Sequence, residues 1–394
     1  MIRQTATIFV DAYRELNAKK MFWIVLVLSL VCVAALACVG IFEDKDEHGV
    51  VHRGITLLIW KFPIQIFDYY NLPKKTFYNL MFYSVGFNIW LTWAATILAL
   101  ISTSGIIPDF ITGGSVEMVL SKPIGRARLF LTKYAAGLLF VILQVSIFSA
   151  ASWLVIGLRA GAWEAVLFVA IPIVVAMFSF LFAFQVLIGM LTRSAIASLM
   201  ITICLWLCIW ALHVAESGPL LEFAVRKDHE VLLREADLER YTAQVEDKKA
   251  VAARPEGGPE AEKAAASLAQ MQTTLADKEA RLAGARQDQG TLNKVHAILF
   301  ATKTVLPKTT ETMELLQRSL VSAAELDDFI SKTPEPPRER RHAGDDVRVS
   351  EVSVRKEMER IKRERSVGWV LGTSLLFEGV IVGIAAWLFC RRDF

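Results

Sequence analysis

No G-x-x-x-x-G-K-[ST] element occurs anywhere in the 394 residues, so the chain has no phosphate-cradling loop with which to bind a nucleotide in the P-loop manner. It has no H-E-x-x-H and no G-x-S-x-G either, which removes a zinc-peptidase helix and a nucleophile elbow. Histidine is sparse and scattered: His48, His52, His213, His229, His296 and His342 are the full set. His48 and His52 are four apart in a polar loop beside acids, which reads as a solvated loop rather than a metal site. Cysteine is scarce too. Cys32, Cys38, Cys204, Cys208 and Cys390 all fall in or at the ends of apolar runs, so no disulfide framework is implied and no redox compartment can be read. Cys204 and Cys208 would share a helix face, but without a nearby His or carboxylate they read as buried thiols. A strong excess of charge is also missing. Lys and Arg number 43 against 40 Asp and Glu, and the basic residues lack interleaved aromatics, which argues against a nucleic-acid partner. No catalytic residue and no metal ligand is expected, and the chain is not read as an enzyme.

What the sequence has in quantity is apolar surface. Hydrophobic residues make up 54% of the chain with a mean hydropathy of +0.42, above the roughly 45–50% of soluble proteins. The excess is concentrated in runs at 21–42, 80–104, 131–158, 165–191, 195–214 and 367–389, each long enough to cross a hydrocarbon core of about 30 Å. The predicted class is an all-α polytopic membrane protein with six transmembrane helices. Pro172 lies inside the fourth run, where a kink would be tolerable because neighbouring helices can satisfy the freed backbone groups. The shorter stretch 55–67 is broken by Pro63. It is expected to lie at the outer interface, with Trp60, Phe62, Phe67, Tyr69 and Tyr70 forming an aromatic belt.

Six crossings place both termini on one side. Residues 1–20 carry Ile2, Ala6, Phe9, Val10, Tyr13 and Leu16 at helical spacing with Arg3, Arg14, Lys19 and Lys20 beside them. This predicts an amphipathic elbow helix on the lipid surface of the cytoplasmic leaflet; its length and mixed charge argue against a cleavable signal peptide. Arg193 and the pair Arg391-Arg392 then fall on that same cytoplasmic side, as the positive-inside bias requires. So does the loop 105–134, which carries Lys122, Arg126, Arg128 and Lys133, a helix-breaking Pro108, the pair Gly113-Gly114 and a short amphipathic segment at 115–120. A loop of that composition suits a docking surface better than a plain connector.

Residues 216–366 are densely charged with both signs. Val231, Leu238 and Val245 repeat every seven, and after the breaker at 254–259 a second seam runs through Leu268, Met271, Leu275, Lys278 and Leu282. The alternating spacing of three and four predicts an antiparallel coiled-coil hairpin with one polar seam position, outside the cell on the span count. Residues 293–330 form a third amphipathic region, expected to pack on the hairpin base or touch the membrane. Residues 333–346 read as a flexible linker. The expected organisation is therefore an elbow at 1–20, five spans over 21–215, the charged insert at 216–366, and the sixth span with the C-terminus at 367–394.

One ionisable group, Glu378, stands near the middle of a span. A carboxylate there is costly and usually faces the bundle interior or a watery path; it is read either as a substrate or gating contact or as a structural hydrogen-bonding group. Asn88 and Gln144 are neutral and are expected to form interhelical hydrogen bonds.

Several of these elements carry a family likeness: Lys19-Lys20-Met21-Phe22-Trp23, Ile107-Pro108-Asp109, the run from Gly114 to Arg126 with Lys133-Tyr134 after it, and Phe389-Cys390-Arg391-Arg392-Asp393-Phe394. Together they resemble the ABC-2 type permeases, the membrane subunits of exporters with the type V fold. The likeness is closest to the subgroup that includes the permease for copper-site maturation in nitrous oxide reductase. It covers the six spans, whereas the 216–366 insert departs from the family's short re-entrant hairpin. The resemblance implies a paired permease or homodimer, each copy served by a separate ABC ATPase subunit that carries ATP and Mg, with no cofactor on this chain. It places the coupling helix within 109–120 and the coupling residues at Asp109, Glu117, Leu120, Lys122, Pro123 and Arg126. The insert is expected to be an extracytoplasmic arm that docks a protein partner or handles substrate, with a solvated spacer as the alternative. A membrane scaffold built around the coiled coil and an ion-driven secondary transporter are the competing readings.

Overall fold

The computed structural model describes residues 20–45, 51–57, 60–63, 74–112, 125–253, 259–320, 331 and 349–391. Among the described residues, six helices are long and apolar enough to cross a membrane, in the places where the sequence has its apolar runs. The chain divides into two compact units. The described residues of Met1–Ala211, Lys303–Phe329 and Arg365–Phe394 make the first, and those of Leu212–Thr302 and Ile330–Glu364 the second.

In the first unit, α1 (Lys20–Cys38) leads into a three-stranded antiparallel sheet of β1 (Val39–Lys45), β2 (Val51–Leu57) and β3 (Trp60–Pro63). Val39 pairs with Leu57, and Leu57 in turn with Trp60. The largely helical chain thus carries one small sheet, which takes in residues 55–57 and 60–63 of the stretch expected at the interface. Val39, Ile41, Val51, Ile55 and Thr56 are β-branched, and β-branched residues suit a pleated surface. Trp60 does stay exposed. The sheet is fastened to the helices by Tyr78, whose hydroxyl donates to the Val39 carbonyl at 3.2 Å.

The second crossing is composite. It comprises α2 (Lys74–Met81), a π-helix over Phe82–Ala95, α3 (Thr96–Thr103) and, after a turn, the short α4 (Pro108–Thr112). Single π turns are already uncommon in helices and gather at functional sites; this one runs for fourteen residues. Thr92 and Thr96 each donate their hydroxyl to a carbonyl five residues back, at 3.0 and 2.8 Å, which follows the wider winding.

The third and fourth crossings are α5 (Arg126–Ala160) and α6 (Ala170–Thr192), the latter preceded by a 3-10 turn at Ala165–Val169. Pro172 therefore sits in the first turn of α6. The first four N–H groups of a helix have no intrahelical partner, so a missing one there breaks nothing. The fifth crossing is α7 (Ala195–Ala215) and the sixth is α12 (Val367–Arg391). The core is aromatic-rich, with Phe82, Phe87, Phe130, Phe140, Phe148, Phe178, Phe182 and Phe389 all fully buried. Polar side chains bridge helices within it. Gln144 donates to the Phe22 carbonyl at 2.8 Å, Gln185 to the Leu100 carbonyl at 2.9 Å, and the Trp90 indole to Ser29 at 3.1 Å. Inside a membrane such bridges hold helices together where the hydrophobic effect cannot.

The helix α10 (Thr309–Leu320) also belongs to this unit, which redraws the expected insert of 216–366. Its charges hid an apolar face. Met313 and Leu316, three apart, are buried in the core with Leu320 against it. Its only core-buried acid, Glu311, pairs with Lys303 and lies 3.5 Å from Arg365. The preceding Lys308 is held by the carbonyl of Thr304 at 3.1 Å, by the Thr373 hydroxyl, and by the face of Trp369 at 4.3 Å.

The second unit contains α8 (Leu221–Ala252), most of α9 (Pro259–Val305) and α11 (Glu351–Glu364). Pairing of α8 with α9 is antiparallel: Asp228 meets Gln289 at 2.7 Å, Glu235 meets Arg286 at 2.7 Å, and Asp237 meets Lys278. Val231, Leu282 and Ala285 are buried between them. Lys278, the polar position in the seam, also lies over the Tyr241 ring at 5.4 Å. On the other side α11 lays Val354 against Leu221 and Val225, and Glu351 pairs with Arg226 at 2.7 Å.

Candidate functional site

Glu378 is where three crossings meet. Its Oε1 accepts from the Tyr134 hydroxyl at 2.7 Å, and its Oε2 from the Ser179 hydroxyl at 2.8 Å. Tyr134 stands on α5, Ser179 on α6 and Glu378 on α12. The Tyr134 ring is stacked on Phe182 at 5.1 Å, which fixes its hydroxyl over the carboxylate. Each carboxylate oxygen thus has a hydroxyl partner on a neighbouring crossing.

The end of the bundle that carries Arg126 is packed without slack. A methyl group placed on Gly189 of α6 would stand 2.9 Å from a ring carbon of Pro108, and one on Gly105 would stand 2.1 Å from an Asp109 carboxylate oxygen. Only glycine lets α4 approach this closely. On α4, Pro108 and Phe110 are buried and Asp109 faces outward. The Lys133 ammonium lies over the Phe110 ring at 5.1 Å.

Arg126 begins α5 and donates to the Cys390 carbonyl at 3.1 Å. It thus satisfies one of the orphan carbonyls at the end of α12. Of the expected coupling residues, Asp109 and Arg126 are therefore placed at this end, one exposed and one capping a helix. Glu117, Leu120, Lys122 and Pro123 lie outside the described residues, as do the elbow at 1–19, the linker at 333–346 and Arg392.

A third feature had no counterpart in the sequence reading. A cavity of about 110 Å³ lies between the π-helix, α6, α7 and α10. One wall is aromatic: Trp93 stacks on Trp206 at 4.8 Å and 24°, and meets Trp210 edge-on at 5.4 Å and 84°. Tyr83, Asn88 and Thr92 reach the same cavity from the π-helix, and Thr309, Thr310 and Glu314 reach it from α10. Asn88, expected to bond to a neighbouring helix, is exposed at the rim instead. The reason is the winding. On an α-helix of 3.6 residues per turn, Tyr83 and Thr92 would stand about half a turn apart. Hydrogen bonds at i→i+5 turn the chain less per residue and carry both to one side. Within single helices the pairs four apart, such as Trp206 and Trp210 or Thr310 and Glu314, could have been placed on one face from the sequence, but not the meeting of the helices that carry them.

Comparison with curated proteins and with solved structures returns no match. The profile of the ABC-2 family transporter proteins matches residues 8–234, more than half of the chain, and spans the first five crossings and the tightly packed Pro108 turn. The chain belongs to the ABC-2 transporter family and is a multi-pass membrane permease of that family.

Proposed function

We propose that this chain is the membrane-spanning subunit of an ATP-binding-cassette exporter, driven by ATP hydrolysed on a separate ATPase subunit. The observation that carries the reading is the wedge of α4 against α6. Pro108 fills the space that any side chain at Gly189 would need. A displacement of the loop 105–134 therefore moves the fourth crossing instead of being absorbed, because close-packed interiors transmit strain. Nucleotide hydrolysis in the partner then switches the spans between two packings. ATP and Mg belong to that partner, and this chain holds no cofactor of its own.

In this arrangement both termini and the loop 105–134 face the cytoplasm, where Lys122, Arg126, Arg128 and Lys133 satisfy the positive-inside bias. Two permease copies pair across the membrane. The antiparallel α8–α9 arm stands on the outer side as a docking arm for a protein partner. Glu378 keeps a bundle-stabilising role.

The test is a pull-down of the full chain in mild detergent, beside Glu117→Lys and Lys122→Glu variants. Arg126 is unsuitable for reversal because it caps α12. Capture of a P-loop ATPase by the native chain, weakened by both reversals, supports the exporter. Absence of any ATPase from preparations that retain the paired permease overturns it. An intact complex whose transport follows a proton or sodium gradient and ignores ATP points to secondary transport.

A further inference from the structure

We propose that the cavity lined by Trp93, Trp206, Trp210 and Glu314 binds a small quaternary ammonium group of the choline type. The faces of aromatic rings carry the negative part of a quadrupole and attract cations, most strongly for Trp and where water is excluded. Here three indoles are held in fixed stacked and edge-on contact, so the wall needs no reordering to receive a ligand. Trp206 is buried and Trp210 is 39% exposed, which gives the cavity a closed end and an open one. Among the described lining residues Glu314 is the one that carries a charge. The indoles and this carboxylate together suit a cation, whereas an anion would meet the carboxylate.

Size narrows the class further. A cavity of about 150 Å³ accommodates benzene, so one of about 110 Å³ takes a head group and not a polycyclic amphiphile. A trimethylammonium offers no N–H and needs no matching acceptors, which suits a wall of rings. One hydroxyl at the site does lack a partner. Thr309 is 2% exposed and lines the cavity, and its Oγ1 makes no hydrogen bond. Buried polar atoms are rarely left so, and the hydroxyl or ester oxygen two carbons from a choline nitrogen is the kind of group that would satisfy it. The same chemistry is offered by free choline and by a choline lipid head group.

As an assignment of the transported substrate, this inference rests on the permease reading. As an assignment of a binding site, it is read without any ATPase, so the two can fail separately. The experiment is titration calorimetry of the full chain in a sugar-based detergent against choline, tetramethylammonium and 3,3-dimethylbutan-1-ol, the neutral isostere of choline. A parallel arm reconstitutes the chain in phosphatidylcholine or phosphatidylglycerol discs and follows tryptophan fluorescence.

Saturable binding of the two cations, with the neutral isostere at least tenfold weaker, is the expected result and identifies a free solute. A fluorescence change in phosphatidylcholine discs alone, without binding of free choline, identifies the lipid head group. Glu314→Gln, which keeps the shape of the side chain, is expected to weaken binding about tenfold with the melting temperature unchanged, and Trp210→Leu to weaken it similarly. The proposal is overturned if neither arm responds, if the neutral isostere binds as well as choline, or if both variants bind like the native chain.

Discussion

Tyr134 and Ser179 grip the two oxygens of a single carboxylate, Glu378, at 2.7 and 2.8 Å. The third, fourth and sixth crossings are thus joined at one point inside the bundle. The Tyr134 hydroxyl also lies 3.1 Å from the Ser179 carbonyl, a second acceptor available without moving the ring.

That spare acceptor shapes the first prediction. Hydrogen bonds between membrane helices average about 0.6 kcal/mol and reach about 1.7, so Tyr134→Phe or Ser179→Ala should each lower stability by about 1 kcal/mol. The double variant should lose less than the sum, since both residues share Glu378. Glu378→Leu should be tolerated nearly as well, because Tyr134 can turn its proton to the Ser179 carbonyl. Equilibrium unfolding in mixed micelles gives these differences; full additivity would mean that the two hydroxyls act independently of the carboxylate.

Close packing at the Pro108 turn leads to the second. Gly189→Val should push α4 off α6 and destabilise the protein by about 1–3 kcal/mol, the usual range for overpacking. Gly161, at the end of α5, has open space around its Cα but a φ of +67°. Gly161→Ala should therefore cost about 1–2 kcal/mol through backbone strain alone. Thermal unfolding compares the two. If only the exporter reading is right about the turn, Gly189→Val should also reduce ATPase capture while Gly161→Ala leaves it unchanged.

Lys308 sets a pH dependence. Burial pushes its pKa down to about 8, with Lys303 and Arg365 pushing the same way and Glu311 opposing them. An unfolded lysine titrates near 10.4. Between these values the unfolded chain holds the extra proton, so stability rises with pH from about 8 to about 10.4. Below pH 8 both states are charged and the full burial penalty is present. Melting temperatures at pH 7 and pH 9.5 should show this rise in the native chain and its loss in Lys308→Met. An identical pH profile in both would remove Lys308 as the source.

In the second unit, Lys278→Leu tests the polar seam position. The lost pair with Asp237 is partly exposed and worth about 0–1 kcal/mol, whereas a leucine there would extend the buried contact of Leu282 with Val231. The variant should unfold at a higher temperature, and a lower one would show that the ion pair holds α8 to α9.

How much of this was legible in the sequence depends on the range of the interaction involved. The apolar runs determined the six crossings, because twenty consecutive apolar residues have no other low-energy environment. The seven-residue repeat through Val231 and Leu238 made the amphipathic face of α8 legible, because that period is local. Family membership also followed from contiguous residues, such as Ile107-Pro108-Asp109. Three features were decided only in the folded chain. Formation of the strands β1, β2 and β3 depends on pairing between segments, and the apolar face of α10 was masked by the helix's own Glu311, Glu314 and Arg318, of which Glu311 meets Lys303 and Arg365 only in the folded chain. The winding of 82–95 shows the limit most plainly. Read at 3.6 residues per turn, Tyr83 stands on the far side of the helix from Asn88 and Thr92. Packed against α6, α7 and α10, the same residues follow a wider turn and close a cavity with Trp206 and Trp210, because a period set by tertiary packing is not written in the spacing of the residues that obey it.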